Sequence, residues 1–271
     1  MSEGQGPIAI FDSGVGGLTV AAAIARVLPH ESFVYLGDTA RLPYGTKSPE
    51  TVTKYAVQAT RALMRFEPKM VVVACNTASA VALPVLAAAY APLPVLGVVE
   101  PGARAAVAAS RSGSIAVIAT EGTVRGGAYL RAIRALNAQA QIVQRACPLF
   151  VALAEEGWTQ GPVPELAAQK YLSDIFNGDA PPDTLVLGCT HFPVLVDPIR
   201  KAVGPGIALV DSAETVAREI ASMVRPATGH GGPAAHHFLS TDAPDRFARV
   251  GSQFFGATID ADQVELVDLA S

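Results

Sequence analysis

Short, uninterrupted apolar runs alternate along this chain with longer segments in which apolar and polar positions recur at helical spacing. The short runs are Pro7–Phe11, Ser32–Leu36, Met70–Ala74, Val95–Val99, Ser114–Ala119, Ala140–Arg145, Thr184–Leu187 and Ile207–Val210. A strand with one wet face alternates apolar and polar residues. Several of these runs are apolar throughout, which marks strands buried on both faces, inside parallel sheets covered by helices. The longer segments predict an Ala-rich helix from the Ser13–Gly17 turn to near Pro29. Further helices are predicted over Pro49–Arg65, Ala78–Tyr90, about Glu121 to Leu136, Glu165–Phe176 and Ser212–Val224. Such alternation predicts an α/β chain with mainly parallel sheets. The Gly-, Pro- and His-containing stretch Thr228–His237 reads as a surface loop.

One segment tests this reading. Met70–Val99 carries no charge and exceeds the roughly 20 apolar residues that span a bilayer. Asn76, Thr77 and Ser79 near its start, and Pro84, Pro92, Pro94 and Gly97 beyond, argue instead for strand, turn, helix and strand. Composition narrows the class further. The 271 residues suffice for one large α/β domain or two lobes, and half are hydrophobic while 16% are charged, which excludes a disordered chain. Lys plus Arg is 20 against 24 for Asp plus Glu, so no basic nucleic-acid footprint is expected. Three cysteines, and an opening MSEGQGP with neither a basic nor an apolar region, predict a reducing compartment and no secretory signal.

The candidate chemistry sits where strands end. Met70–Thr77 (MVVVACNT) and Thr184–His191 (TLVLGCTH) echo one another: an apolar strand, a small residue, a cysteine, then polar residues. Ligands in open parallel sheets bind beyond the carboxyl ends of strands. Two similar lobes facing each other would therefore bring Cys75 and Cys189 to one cleft. A helix start after each cysteine would favour the thiolate, and His191 lies two positions from Cys189. Cys147, followed by Pro148, has no comparable polar sequel and reads as structural. Asp12-Ser13-Gly14-Val15-Gly16-Gly17 looks like a dinucleotide fingerprint but has Thr19 where the last glycine belongs. It fits better as a turn whose backbone N–H groups can hold a carboxylate, with Asp12 at the strand end. The Asp38–Gly45 segment is another strand-end loop rich in functional groups, Glu155-Glu156-Gly157 comes after an apolar run, and Asp211 can cap the helix after it. A zinc site through Cys75, Cys189 and His191 has no ligand spacing to support it, and neither has one at His236-His237.

Five of these segments together resemble the glutamate racemase family. They are Asp12–Val20, Gly37–Gly45, Ala74–Ala78, Leu187–Pro193 and Val210–Ala213, in the family's order and spacing. The resemblance runs from about residue 7 to about residue 225 and leaves the tail after Val224 without a matching motif. It implies two similar α/β lobes, 1–98 with 210–271 and 99–209, with the active site in the cleft between them. It implies an isomerase without cofactor or metal that interconverts L- and D-glutamate by two thiols, in the bacterial cytoplasm, for peptidoglycan. It also implies a homodimer, with no nucleic-acid or membrane partner. Residue by residue, Cys75 and Cys189 would be the acid/base thiols. Asp12 would assist Cys75, deprotonating D-glutamate, and His191 would assist Cys189, deprotonating L-glutamate. Glu155, with Glu156 as the alternative, would support His191. Ser13, Tyr44, Gly45, Asn76, Thr77 and Thr190, with Asp12 and His191, would hold the substrate. A sister racemase acting on aspartate or another acid, and a non-catalytic binder on the same scaffold, stand as alternatives.

Overall fold

A computed structural model describes residues 6–224 and 234–269. Among these described residues ten strands form two sheets. They are β1 (Ile8–Asp12), β2 (Phe33–Gly37), β3 (Met70–Val73), β4 (Val95–Gly97), β5 (Ser114–Ala119), β6 (Gln141–Ala146), β7 (Thr184–Gly188), β8 (Ala208–Asp211), β9 (His236–Ser240) and β10 (Val264–Leu266). The first sheet has the order β10-β9-β2-β1-β3-β4 and the second β6-β5-β7-β8, every neighbouring pair parallel. The helices are α1 (Leu18–Val27), α2 (Pro49–Leu63), α3 (Asn76–Tyr90), α4 (Val99–Ala109), α5 (Glu121–Gly126) and α6 (Ala128–Leu136). After them come α7 (Leu149–Glu155), α8 (Pro162–Phe176), α9 (Val196–Val203), α10 (Ser212–Met223) and α11 (Pro244–Phe255).

The uninterrupted apolar runs are explained by cover on both faces. Ile8 and Ile10 of β1 point into one core and Ala9 and Phe11 into another, and all four are fully buried. In the second sheet Ala116 and Ile118 face the first of these cores, while Ile115 and Val117 face a third beneath α4 and α6. Burying each large aliphatic side chain this way contributes about 1.5–3 kcal/mol. Local signals set helix starts: the Ser48 hydroxyl accepts from Thr51 N at the head of α2, with Pro49 in the first turn. Met70–Val99 folds as β3, α3 and β4, and no helix among the described residues is long and apolar enough to cross a membrane.

Several expectations need correction. The helix expected from about Glu121 to Leu136 is two, because Gly127 adopts φ +61° and ends α5 before α6 begins. The strand expected over Val95–Val99 stops at Gly97, and Val99 already belongs to α4. The surface loop expected over Thr228–His237 lies outside the described residues as far as 233. Its end does not hold as loop: His236 and His237 open β9, which pairs with β2, and His236 stacks on Phe33 at 4.1 Å. The chain therefore leaves the first sheet after β4, builds the second, and returns through α10, β9, α11 and β10. Val210 and Asp211 stay with the second sheet in β8, and α10 packs on α1 beside the first.

Candidate active site

The carboxyl ends of β1, β2 and β3 face those of β5 and β7 across a cavity of about 320 Å³, within the size range of small-molecule sites. Ser13, Tyr44, Gly45, Cys75, Asn76 and Thr77 line it from the first lobe, and Thr120, Glu155, Cys189, Thr190 and His191 from the second. Asp12 lies fully buried beneath the Ser13–Gly14 wall, its Oδ2 accepting from Gly14 N at 2.9 Å. Glu156 is exposed and does not line the cavity. Cys147 is buried in the core with its thiol against the Arg145 carbonyl oxygen, 3.8 Å away.

Each thiol has its own surroundings. Cys75 occupies the N-cap of α3, its sulfur accepting from Ala78 N, and it lies 3.5 Å from Ser13 Oγ. Burial, and next the Asp12 carboxylate, push this thiol up to about 12, against the smaller opposing pull of the Ser13 hydrogen bond. Asp12 is itself raised by burial, which outweighs the His191 charge and the backbone N–H groups around it. Its Oδ1 has no hydrogen-bond partner among the described residues.

Cys189 stands at the head of a relay. Its sulfur is 3.8 Å from His191 Nδ1, and His191 Nε2 is 3.2 Å from Glu155 Oε1. Burial alone would lower the imidazole's pKa, but the contacts with Cys189 and Glu155 and the charge of Asp12 carry it up to about 10. Burial would likewise raise Glu155, yet His191 and Arg246 together bring it down to about 2. These contacts favour the charged form of the ring beside the Cys189 sulfur.

Polar groups close the space between the lobes. The hydroxyls of Thr77, Thr120 and Thr123 form a triangle with sides of 2.9, 3.0 and 3.3 Å. Tyr129 OH donates to Asn76 Oδ1 at 2.7 Å, which leaves Asn76 Nδ2 buried with no acceptor among the described residues. An unmatched donor in a cavity wall is costly until something accepts from it, and a carboxylate would. Tyr44 OH donates to Asp38, whose buried carboxylate also takes Arg41 Nε at 3.0 Å and Thr241 Oγ1 at 2.9 Å. A Cβ at Gly45 would lie 2.7 Å from that of Thr120, so glycine there lets the lobes approach. No lysine is among the described residues lining the cavity.

The model of the Asp/Glu/hydantoin racemase family matches residues 18–220. A glutamate racemase from Geobacter metallireducens is 51% identical over 266 residues, covering 96% of both chains. The chain belongs to the Asp/Glu/hydantoin racemase family. Solved relatives superpose over nearly the whole racemase. A glutamate racemase isoform from Bacillus anthracis shares 36% identity with a TM-score of 0.89, covering 97% of this chain and 98% of its own. A glutamate racemase from Francisella tularensis, solved with D-glutamate, shares 33% identity with a TM-score of 0.89, covering 98% of each.

Sequence reasoning missed three parts of this racemase's site. Thr120 and Thr123 come after β5 as Cys75 and Cys189 come after β3 and β7, so the same strand-end rule applied to Ala119-Thr120 would have found them. Arg246 and Thr241 come from the tail that carries no motif, and no local signal links them to Glu155 or Asp38.

Proposed function

We propose that this racemase interconverts L- and D-glutamate with Cys75 and Cys189 as its two acid/base thiols, one on each face of Cα. The observation that carries the reading is that the two strand-end cysteines, one from each sheet, line a single cavity. The relatives named glutamate racemase, and the one holding D-glutamate, support glutamate over aspartate as substrate. A non-catalytic binder would have no use for a second thiol with its own histidine.

The chemistry is a proton removed from one face of a weakly acidic carbon and another returned to the opposite face. One sulfur starts as thiolate and the other as thiol, and they exchange roles in reverse. The surroundings are unequal in the free protein. Burial and Asp12 keep Cys75 protonated, whereas His191 offers Cys189 a cation. That state is poised for Cys189 to take the proton of L-glutamate while Cys75 delivers one to form D-glutamate. The carbanion between the two steps is held by donors fixed in advance around the α-carboxylate, among them Asn76 Nδ2. Ser13, Thr77 and Thr190 line the same space, Gly45 lets Thr120 close over it, and Tyr44 is oriented by Asp38. With no lysine among the described residues of the wall to form a Schiff base, this reading needs no pyridoxal group. The family resemblance supports, as part of the same proposal, a product used for bacterial peptidoglycan, made in the cytoplasm by a homodimer whose lobes divide near residues 98 and 210.

The deciding experiment is a time course on L-glutamate in deuterated water with no cofactor added, racemisation followed by circular dichroism and the deuterium in each separated enantiomer by mass spectrometry. D-glutamate should appear carrying deuterium at Cα, while the remaining L-glutamate stays largely unlabelled at early times. Deuterium entering L-glutamate before product forms would mean one base serves both faces, and the two-thiol reading would fail. Activity on aspartate but not glutamate would move the chain to the alternative substrate.

A further inference from the structure

The relay behind Cys189 does not end at Glu155. Arg246 Nη2 donates to Glu155 Oε2 at 2.8 Å, while Oε1 of the same carboxylate faces His191 Nε2. Arg246 belongs to α11, in the segment that returns to the first sheet, 91 positions from Glu155. We propose that Arg246 is a positioning residue for the Cys189 half of the site, setting the Glu155 carboxylate so that His191 is aimed at the Cys189 sulfur. The inference rests on the two-thiol reading and deepens it.

Three observations carry it. First, Glu155 is the last residue of α7, where the helix dipole disfavours a carboxylate, so it needs cationic partners to stay turned inward. His191 supplies one and Arg246 the other, one to each oxygen. With both oxygens held, the carboxylate plane cannot rotate, and its bond to Nε2 keeps Nδ1 directed at Cys189. Second, α11 backs the same ring by another route: Phe254 meets His191 edge-to-face at 5.1 Å. Gln253 also lies against Gly157, just past Glu155. Third, the Arg246 side chain is 42% exposed, and an ion pair so open to water adds little to folding stability. Its geometry therefore matters more to the relay than to the fold. Arg246 touches no reacting atom, since two side chains separate it from the sulfur.

The test compares wild type, Arg246→Ala and Arg246→Lys, with Arg246→Ala also placed in a Glu155→Gln background. Rates are measured from both enantiomers, with and without deuterium at Cα, beside thermal melts. The equilibrium constant between enantiomers is one, so kcat/KM must fall equally in both directions. For Arg246→Ala we expect a loss on the order of 10- to 100-fold, as small misplacements near the chemistry cause, carried by kcat with KM little changed. The isotope effect on kcat/KM should rise with L-glutamate, whose proton Cys189 takes, and fall toward one with D-glutamate, whose proton Cys75 takes. A general loosening of the fold would not move the two in opposite directions. Arg246→Lys should recover much of the loss, and Arg246→Ala should add little once Glu155→Gln has broken the relay. A folded Arg246→Ala variant with wild-type rates and isotope effects would overturn the inference and leave the two-thiol reading standing. Isotope effects moving the same way for both enantiomers would also overturn it. Wild-type protein unable to racemise glutamate would overturn both.

Discussion

The ring of His191 occupies the space where a side chain at Gly16 would stand: a Cβ on Gly16 would lie 2.4 Å from His191 Nδ1. The same atom would meet Thr190 Oγ1 at 2.5 Å. Gly16 lies in the turn after β1, so a glycine of the first lobe seats the histidine of the second. Thr19 Oγ1, three residues on, donates to the Thr190 carbonyl oxygen at 3.1 Å and fixes the approach. The residue that breaks the dinucleotide fingerprint thus has a use of its own here.

Gly16→Ala should therefore act on the Cys189 half of the site. The methyl forces His191 or the lobe spacing to shift, and loss of alignment of this kind costs on the order of 100-fold in rate. The expected result is a fall in kcat with a folded, cooperatively melting protein. Wild-type kcat in Gly16→Ala would show that the ring can yield without harm.

The three cysteines should divide cleanly. Cys75→Ala and Cys189→Ala each remove an acid/base group whose contribution is about 10²–10⁴-fold, so racemisation should drop by at least that much. Cys147→Ala, away from the cavity, should keep most of the activity and lose about 1 kcal/mol of stability from a small buried gap. Steady-state rates and denaturant midpoints on the three variants check both halves of the statement.

Asp12 should have opposite effects on two measurements. Its charge helps keep the Cys75 thiol protonated, after burial, at about 12. Asp12→Asn removes that charge, so the thiolate fraction at mildly alkaline pH should grow and alkylation of Cys75 by iodoacetamide should speed up roughly three- to ten-fold. Racemisation should fall in the same variant. Peptide mapping of the alkylated cysteine gives the first number and circular dichroism the second. Slower alkylation would mean that Asp12 does not raise the thiol.

The His191–Glu155 contact should appear in the pH dependence of stability. Glu155 is lowered from 4.5 to about 2, so its contribution is present above 4.5 and is lost as pH falls toward 2. His191 is raised from 6.5 to about 10, so its contribution is full below 6.5 and is lost as pH rises through 10. The gap in melting temperature between wild type and Glu155→Gln should thus be widest between pH 4.5 and 6.5. It should amount to a few degrees, since 1 kcal/mol moves Tm by about 2–4 °C in a chain of this size. A gap independent of pH would separate Glu155 from the imidazolium.

Much of the fold was legible along the chain because parallel strands buried on both faces leave an unmistakable apolar signature. Pro7–Phe11, Met70–Ala74 and Thr184–Leu187 each read as a strand, and each is one. Polar residues just past a strand end are equally readable, which is why Cys75, Cys189 and His191 stood out as candidates. The return segment was not legible. β9 opens with two histidines, and α11 is a charged amphipathic helix holding Gly251, with its core-facing Phe247, Val250 and Phe254 spaced among polar residues. Nothing local distinguishes Arg246 from any other helix-surface arginine. Its importance comes from Glu155, a partner the chain reaches only after crossing two sheets.

The return of the chain to its first sheet also orders events during synthesis. β1 to β4 leave the ribosome first, yet β9 joins β2 only once residue 240 has been made. Until then β2 is an open edge, and an unpaired edge invites pairing with other chains. The second sheet, β5 to β8, is contiguous in sequence and can close while the first still waits. The earliest-made half of the protein is therefore the last to be finished, and Glu155 meets Arg246 only when the nascent chain has entered its final α-helix.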